Sequence, residues 1–161
     1  MTTTKLCVSV VCIDMPQKKV LYVFEKQNGQ DVVNVPSGHV NTGEDPYQAA
    51  HRELKEETTV IADKYFFAGT TSLVKGDVQY FTMVYACHKP NDSQIGDIEN
   101  IQDEDVYAAK WLTFEQFKSI DTVSHRNGFI EEKVRMSVCA LMAIDNPTEH
   151  QHTPYHRAII L

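Results

Sequence analysis

The stretch Gly38-His-Val-Asn-Thr-Gly-Glu44-Asp-Pro-Tyr-Gln-Ala-Ala-His-Arg52-Glu53-Leu-Lys-Glu56-Glu57-Thr-Thr-Val60 sets a glycine-bearing loop before an acid-rich helix. Pro46 suits a first helical turn, Glu44 or Asp45 can cap it, and Ala49, Ala50 and Leu54 form an apolar stripe. A helix is therefore predicted from Pro46 to about Thr58. At about 100° per residue, Glu53, Glu56 and Glu57 fall within an arc of about 100°. Glu53 and Glu57 are a like-charge i,i+4 pair, which costs a few tenths of a kcal/mol in an isolated helix. Lys55 points to the opposite side, so Arg52 is the local counter-charge, four residues before Glu56 and adjacent to Glu53. A solvated acidic face is the plain explanation of such a run. Two features argue for ligation instead. The acids border the Ala50/Leu54 face, at the margin of the core, and the entry loop carries a glycine that lets backbone approach a ligand closely. Clustered hard oxygen donors at such a margin suit Mg²⁺ or Mn²⁺, with waters and substrate phosphates completing the shell.

Working outward, Leu6–Ile13 and Val20–Phe24 read as two strands of a hairpin, and Val32–Val35 as a short strand after an Asn28-Gly29 turn. Pro36-Ser37-Gly38 reads as a breaker cluster. Beyond the helix, Tyr65–Val74 and Val78–His88 flank Lys75-Gly76-Asp77, a hairpin signal. Lys89 to Asp105 reads as an acidic loop and Val106–Leu112 as a strand. Thr113 caps a short helix through Ile120, and Phe129–Ile144 shows helical periodicity at Ile130, Val134, Val138, Leu141 and Met142. Interleaved strands and helices in one core-sized chain predict an α/β fold: a single α/β/α sandwich around a mixed β-sheet. The domain is expected over residues 1–145, with a polar, exposed tail over residues 146–161 that holds His150, His152 and His156.

The 161 residues are 42% hydrophobic and 23% charged, an ordinary soluble composition, and the net charge of −7 argues against non-specific nucleic-acid binding. An anionic ligand would then need an imported positive charge, which again points to a metal ion. Cys7, Cys12, Cys87 and Cys139 form no Cys-x-x-Cys spacing and read as buried free thiols of a reducing compartment. The apolar run Leu6–Ile13 is too short for a membrane helix and lacks signal-peptide flanks, so a cytoplasmic protein is expected, with no membrane partner.

The quoted stretch matches the signature of the Nudix hydrolases, Gly-x5-Glu-x7-Arg-Glu-U-x-Glu-Glu-x-Gly-U with U aliphatic. Gly38, Glu44, Arg52, Glu53, Leu54, Glu56, Glu57 and Val60 agree, and Thr59 stands where the family has Gly. The strand order on both sides is similar to the family's as well. The resemblance implies a hydrolase of a diphosphate linked to another moiety, with Glu53, Glu56 and Glu57 holding one to three Mg²⁺ or Mn²⁺ ions. Arg52 would orient Glu53 or its neighbours, and Glu44 would be structural or a distant ligand. The family's Gly ends the catalytic helix, where a left-handed residue is commonly needed. A β-branched Thr fits that geometry poorly, so Thr59 is expected in ordinary helical or extended geometry, with the helix ending one residue away.

Marks of four family subclasses are not met. Lys75 stands where ADP-ribose-cleaving members carry Pro, and Gly76-Asp77-Val78 fill the window of the dinucleoside-polyphosphate Tyr. The zinc-ribbon cysteines of the NADH-cleaving class and the upstream motif of the coenzyme A class are not seen. Asn34-Val-Pro-Ser-Gly38-His39-Val40, Asp103–Trp111 and Arg126-Asn-Gly-Phe-Ile-Glu-Glu instead resemble the NudJ-type group of small bacterial phosphatases. That resemblance implies cleavage of a phosphoanhydride in a nucleoside di- or triphosphate or a thiamine-type pyrophosphate. A nucleotide-pool pyrophosphohydrolase acting on oxidised or non-standard triphosphates is the alternative. A non-catalytic Nudix-fold nucleotide-sensing or partner-binding module is the alternative from another class. Outside the helix, Glu104 is the expected base or extra ligand, from the acids Asp97, Glu99, Asp103, Glu104 and Asp105. Gly38, His39 and Arg126 are the expected substrate contacts, Arg126 because it lies near the start of the Phe129 helix. Tyr80, Phe81 and Trp111 read as core aromatics, and a homodimer is left open.

Overall fold

A computed structural model describes residues 3–91, 101–120, 124–125 and 129–146. The strands are β1 (Thr3–Asp14), β2 (Lys19–Gln27), β3 (Gln30–Asn34), β4 (Ser37–His39), β5 (Phe66–Lys75), β6 (Val78–His88), β7 (Val106–Thr113) and β8 (Ser124–His125). The helices are α1 (Pro46–Thr58), α2 (Phe114–Lys118) and α3 (Ile130–Asp145). The strands form one mixed sheet in the order β5-β6-β1-β2-β3-β8, with β4 paired to β1 and β7 to β2. β1 runs parallel to β6, and β3 parallel to β8.

Each helix forms where local chemistry fixes its ends. α1 starts at a capping box: the Asp45 carboxylate accepts the Gln48 N–H at 2.9 Å, while the Gln48 side chain accepts the Asp45 N–H at 3.0 Å. Asp45, not Glu44, is thus the cap, with Pro46 in the first turn where its missing N–H is harmless. Thr113 and Gln116 make the same box for α2.

The sheet is covered on both faces. Ala49, Ala50 and Leu54 of α1 pack with Val8, Val10, Cys12 and Leu21 on one side. On the other, Ile130, Val134, Val138 and Leu141 of α3 pack with Val11, Ile13, Tyr22 and Val84, and Phe117 of α2 stacks on Tyr22 at 4.6 Å. The α/β/α sandwich and mixed sheet stand. Leu54 is wholly buried, so truncating it to Ala should cost about 2–5 kcal/mol.

Three local readings change, and one strand pairing joins two cysteines distant in sequence. Ser37–His39, read as a breaker, forms β4, because Val10 N–H also reaches Pro36 C=O at 2.8 Å and ties this segment to β1. The β1–β2 hairpin shares register only at Ile13–Val20 and Asp14–Lys19 before the strands part. Cys12 and Cys87, distant in sequence, are register partners across β1 and β6. Both are wholly buried free thiols, and the hydrogen bond with Cys12, then burial, pushes the Cys87 thiol well up. Thr59, expected in ordinary geometry, has φ 63° and ψ −3° and caps α1 in the left-handed region, its N–H donating to Lys55 C=O at 2.8 Å. The helix end demands the left-handed residue whatever side chain the sequence supplies there. Among the described residues no helix is long and apolar enough to cross a membrane. Asn146 is exposed, and residues 147–161, with their three histidines, lie outside the described part.

Candidate active site

Where β1 and β2 part, β4 fills the free edge of β1, while β2 pairs with β3 and β7. A cleft of about 430 Å³ lies against this split and is lined by β1, β2, β4 and α1, with Lys133 contributed by α3. The side of α1 that borders the core faces it. Glu53 and Glu57 are 6% and 2% exposed, whereas Lys55 on the opposite side is open to solvent. Two carboxylates held so deep need strong partners.

Arg52 supplies most of that order. Its Nε and Nη2 grip the two oxygens of Glu44 at 2.9 and 3.0 Å. Nη1 donates to Glu53 Oε1 at 2.7 Å and to Glu56 Oε2 at 3.0 Å, and Nη2 also reaches the His39 carbonyl at 2.9 Å. Glu44 is therefore the anchor of the arginine. Its carboxyl is held below the usual range first by the Arg52 bond and then by the Asn41 N–H. Arg52 is raised in turn, chiefly by its Glu44 bond. A planar fork with five donors suits this bridging; an ammonium would not.

Burial first, and then the charges of Glu25 and Glu53, push the Glu57 carboxyl well above the ordinary value, although Ser37 N–H donates to its Oε2 at 3.1 Å. Glu53 is also raised, by burial first, against the pull of Arg52. Gly38 sits directly against Glu53: a Cβ built there would lie 2.0 Å from Oε1 and 2.3 Å from Cδ. The glycine admits the Glu53 carboxylate to the β4 backbone, so its close approach is to a side chain of the protein itself. His39, exposed at the rim, turns its ring toward Tyr80 at 6.4 Å between centroids.

The acidic loop reaches α1 through Gln102, whose N–H bonds the Glu56 carbonyl at 2.9 Å. Asp103 and Asp105 line the cleft; Glu104 is exposed and does not. Successive side chains in this segment diverge, and Asp103, not Glu104, acts on the charges of Glu53 and Glu57. Arg126, Asp97 and Glu99 lie outside the described residues. Tyr80 lines the cleft, while Phe81 is exposed; the strand aromatics are thus not simply core.

Several lining groups had no motif to mark them. Glu25 is 5% exposed and accepts from Asn34 Nδ2 at 3.3 Å, and the same Asn34 nitrogen donates to Ser37 Oγ at 2.7 Å. Glu25 ends the apolar run Val20–Phe24, and an acid in register with Leu21 and Val23 was the available signal. Lys133 occupies the buried stripe of α3 between Ile130 and Val134, where a charge is likewise out of place.

The donor set fits a hard divalent cation: several carboxylates, three of them buried (Glu25, Glu53 and Glu57), with a raised Glu57 whose ionisation a cation would favour. Among the described residues no three His, Cys, Asp or Glu side chains already stand at metal-holding spacing. Arg52 instead occupies oxygens of Glu53 and Glu56.

The fold and this site define a Nudix protein. The NUDIX domain family matches residues 3–132, and the chain belongs to that family, the class of hydrolases acting on phosphoanhydride bonds. The chain is 26% identical over 134 residues to Phosphatase NudJ of Escherichia coli strain K12, covering 80% of each. It is 32% identical over 114 residues to Nudix hydrolase 2 of Arabidopsis thaliana, covering 62% of this chain but 36% of that longer relative. In fold it is similar to a NUDIX hydrolase from Nitrosomonas europaea, with a TM-score of 0.73 at 20% identity over 85% of this chain and 90% of the other. The NUDIX domain of Shewanella oneidensis NrtR, solved with ADP ribose, aligns with a TM-score of 0.70 at 18% identity, over 88% and 90%.

Proposed function

We propose that this chain is a divalent-cation-dependent hydrolase that cleaves a phosphoanhydride in a nucleoside di- or triphosphate or a thiamine-type pyrophosphate. The observation that carries the reading is the buried pair Glu53 and Glu57, set with the buried Glu25 in one cleft where burial and their mutual charges raise the Glu57 carboxyl. The loose similarity to the NudJ phosphatase supports the substrate class.

Glu53, Glu56 and Glu57 would hold Mg²⁺ or Mn²⁺, which supplies charge neutralisation of the phosphates and an acidified water. Arg52 keeps Glu53 and Glu56 aimed into the cleft and is itself fixed by Glu44. Gly38 and Ser37 bring the β4 backbone against Glu53 and Glu57, so these carboxylates are ordered before any ligand arrives. Asp103, at the cleft wall, takes the base role that the sequence suggested for Glu104, since it faces the acid cluster. His39 and Tyr80 at the rim would meet the organic moiety. The protein acts on small molecules, in the cytoplasm, with no nucleic-acid or membrane partner.

The test is release of phosphate from a panel of nucleoside di- and triphosphates, oxidised triphosphates and thiamine pyrophosphate, with and without added inorganic pyrophosphatase. Release without pyrophosphatase, abolished by EDTA and restored by Mg²⁺, is expected. Release only with pyrophosphatase and only from oxidised triphosphates would favour the nucleotide-pool alternative. No release from any compound, with tight nucleotide binding, would identify a sensing module.

A further inference from the structure

Lys133 stands in the middle of the buried stripe of α3, which runs Ile130, Lys133, Val134, Ser137, Val138, Leu141. A lysine at such a position usually lays its stem along the core and sends its ammonium out to water. Here the whole residue is 5% exposed, and Nζ donates to Ser9 Oγ of β1 at 2.9 Å. Ser9 is itself wholly buried, with a hydroxyl between the buried apolar side chains of Val8 and of residues 10–13. The ammonium is thus steered inward, and it reaches the same cleft as the acids of α1, from the opposite helix.

The other cations that line the cleft among the described residues sit elsewhere in it. Arg52 is taken up by three carboxylates and a carbonyl. Lys26 pairs with Asp31 on the surface, and Lys75 is exposed at the rim. Among the described residues, Lys133 is the buried cation of the cleft, where Ser9, Glu57 and Asn34 are buried as well. Its burial matters. A diphosphate joined to one organic group presents its terminal phosphate first, and that end alone can enter the buried part while the organic group stays near His39 and Tyr80. An ammonium has three donors and can hold a serine hydroxyl and a phosphate oxygen at once.

We propose that Lys133, positioned by Ser9, binds the terminal phosphate of the substrate at the buried end of the cleft and thereby selects diphosphates with a free end over those substituted at both ends. The assignment rests on the phosphoanhydride reading above and narrows its substrate class.

The experiment compares the wild-type protein with Lys133→Met, which keeps the stem and removes the charge, and with Ser9→Ala. Binding of imidodiphosphate, an uncleavable inorganic diphosphate, is followed by titration calorimetry in Mg²⁺, with thermal melts as a folding check. Lys133→Met should weaken binding at least tenfold, and Ser9→Ala severalfold. In turnover, the loss should fall on KM and be larger for a substrate with a free terminal phosphate than for one capped at both ends. Unchanged imidodiphosphate affinity in a folded Lys133→Met protein overturns the assignment, as does an equal loss for free-ended and capped substrates. Should Lys133→Met not fold, unchanged affinity in Ser9→Ala overturns it. A wild-type protein that hydrolyses nothing, yet whose diphosphate affinity falls in Lys133→Met, would sink the hydrolase reading and leave this assignment standing.

Discussion

Replacing Gly38 with Ala probes the tightest contact in the site. The added Cβ would lie 2.0 and 2.5 Å from the two oxygens of Glu53 and 2.3 Å from its Cδ. Ordinary carbon contacts begin near about 3.5 Å, so the carboxylate must retreat by more than about 1 Å. It cannot do so freely, since Arg52 Nη1 holds Oε1 at 2.7 Å and the residue is 6% exposed. Losing one charge-assisted hydrogen bond costs about 1.5–3 kcal/mol, and Ala in place of Gly returns about 0.4–1 kcal/mol through the unfolded chain. The φ of Gly38 lies outside the left-handed region, so backbone strain adds nothing. The expected net destabilisation is about 1–2 kcal/mol. A ligand displaced by about 1 Å can cost about 100-fold in rate, so kcat/KM should fall by that order. Urea melts and steady-state phosphate release measure the two effects. Activity within threefold of wild type, with an unchanged urea midpoint, would refute the packing argument.

Thr59→Gly should stabilise the protein by up to roughly 1 kcal/mol, read as a higher urea midpoint with an unchanged m-value, because Thr59 is held at φ 63° and glycine relieves that strain. A lower midpoint would show the cap to be unstrained. Glu57→Gln should lose at least about 100-fold in activity, and chelation by EDTA should abolish what the wild type has; activity surviving both contradicts the metal reading. Because the Glu57 carboxyl is raised, the folded metal-free protein binds its proton more tightly than the unfolded chain. Its contribution to stability is fully present below the carboxyl's unfolded-chain value and is lost as pH climbs through the raised folded value. Differential scanning should therefore show Mg²⁺ raising the melting temperature more as pH rises, and Glu57→Gln should remove most of that gain. Arg52→Lys should cut activity at least tenfold despite keeping the charge, since one ammonium cannot bridge Glu44, Glu53 and Glu56; equal activity would show that charge alone suffices.

The helix of Pro46–Thr58, its acid arc and the role of Arg52 were all readable in order along the chain. The helix, its acid arc and the Arg52 bonds to Glu53 and Glu56 depend on contacts within about four residues, which spacing encodes directly, whereas the Arg52 clamp on Glu44 and on the His39 carbonyl spans the entry loop. The cap at Thr113 and the turn at Gly76 were legible for the same reason, while the choice of Asp45 over Glu44 at the start of α1 came from the structure. What closes the site was not. Parallel pairing of β1 with β6, the parting of β1 from β2, and the insertion of β4 arise from competition among distant strand edges, which no local pattern records. That competition brings Gly38 against Glu53, Glu25 beside Glu57, and Cys12 beside Cys87. The end of α1 imposed its left-handed geometry on Thr59 against the preference of the side chain. Sequence alone determined which helix bears the carboxylates and which residue organises them. Tertiary structure decided which oxygens are buried, that Asp103 and not Glu104 faces them, and that Lys133, some eighty residues further on, shares their cleft. Burial and charge act through space, and only the packed sheet sets those distances.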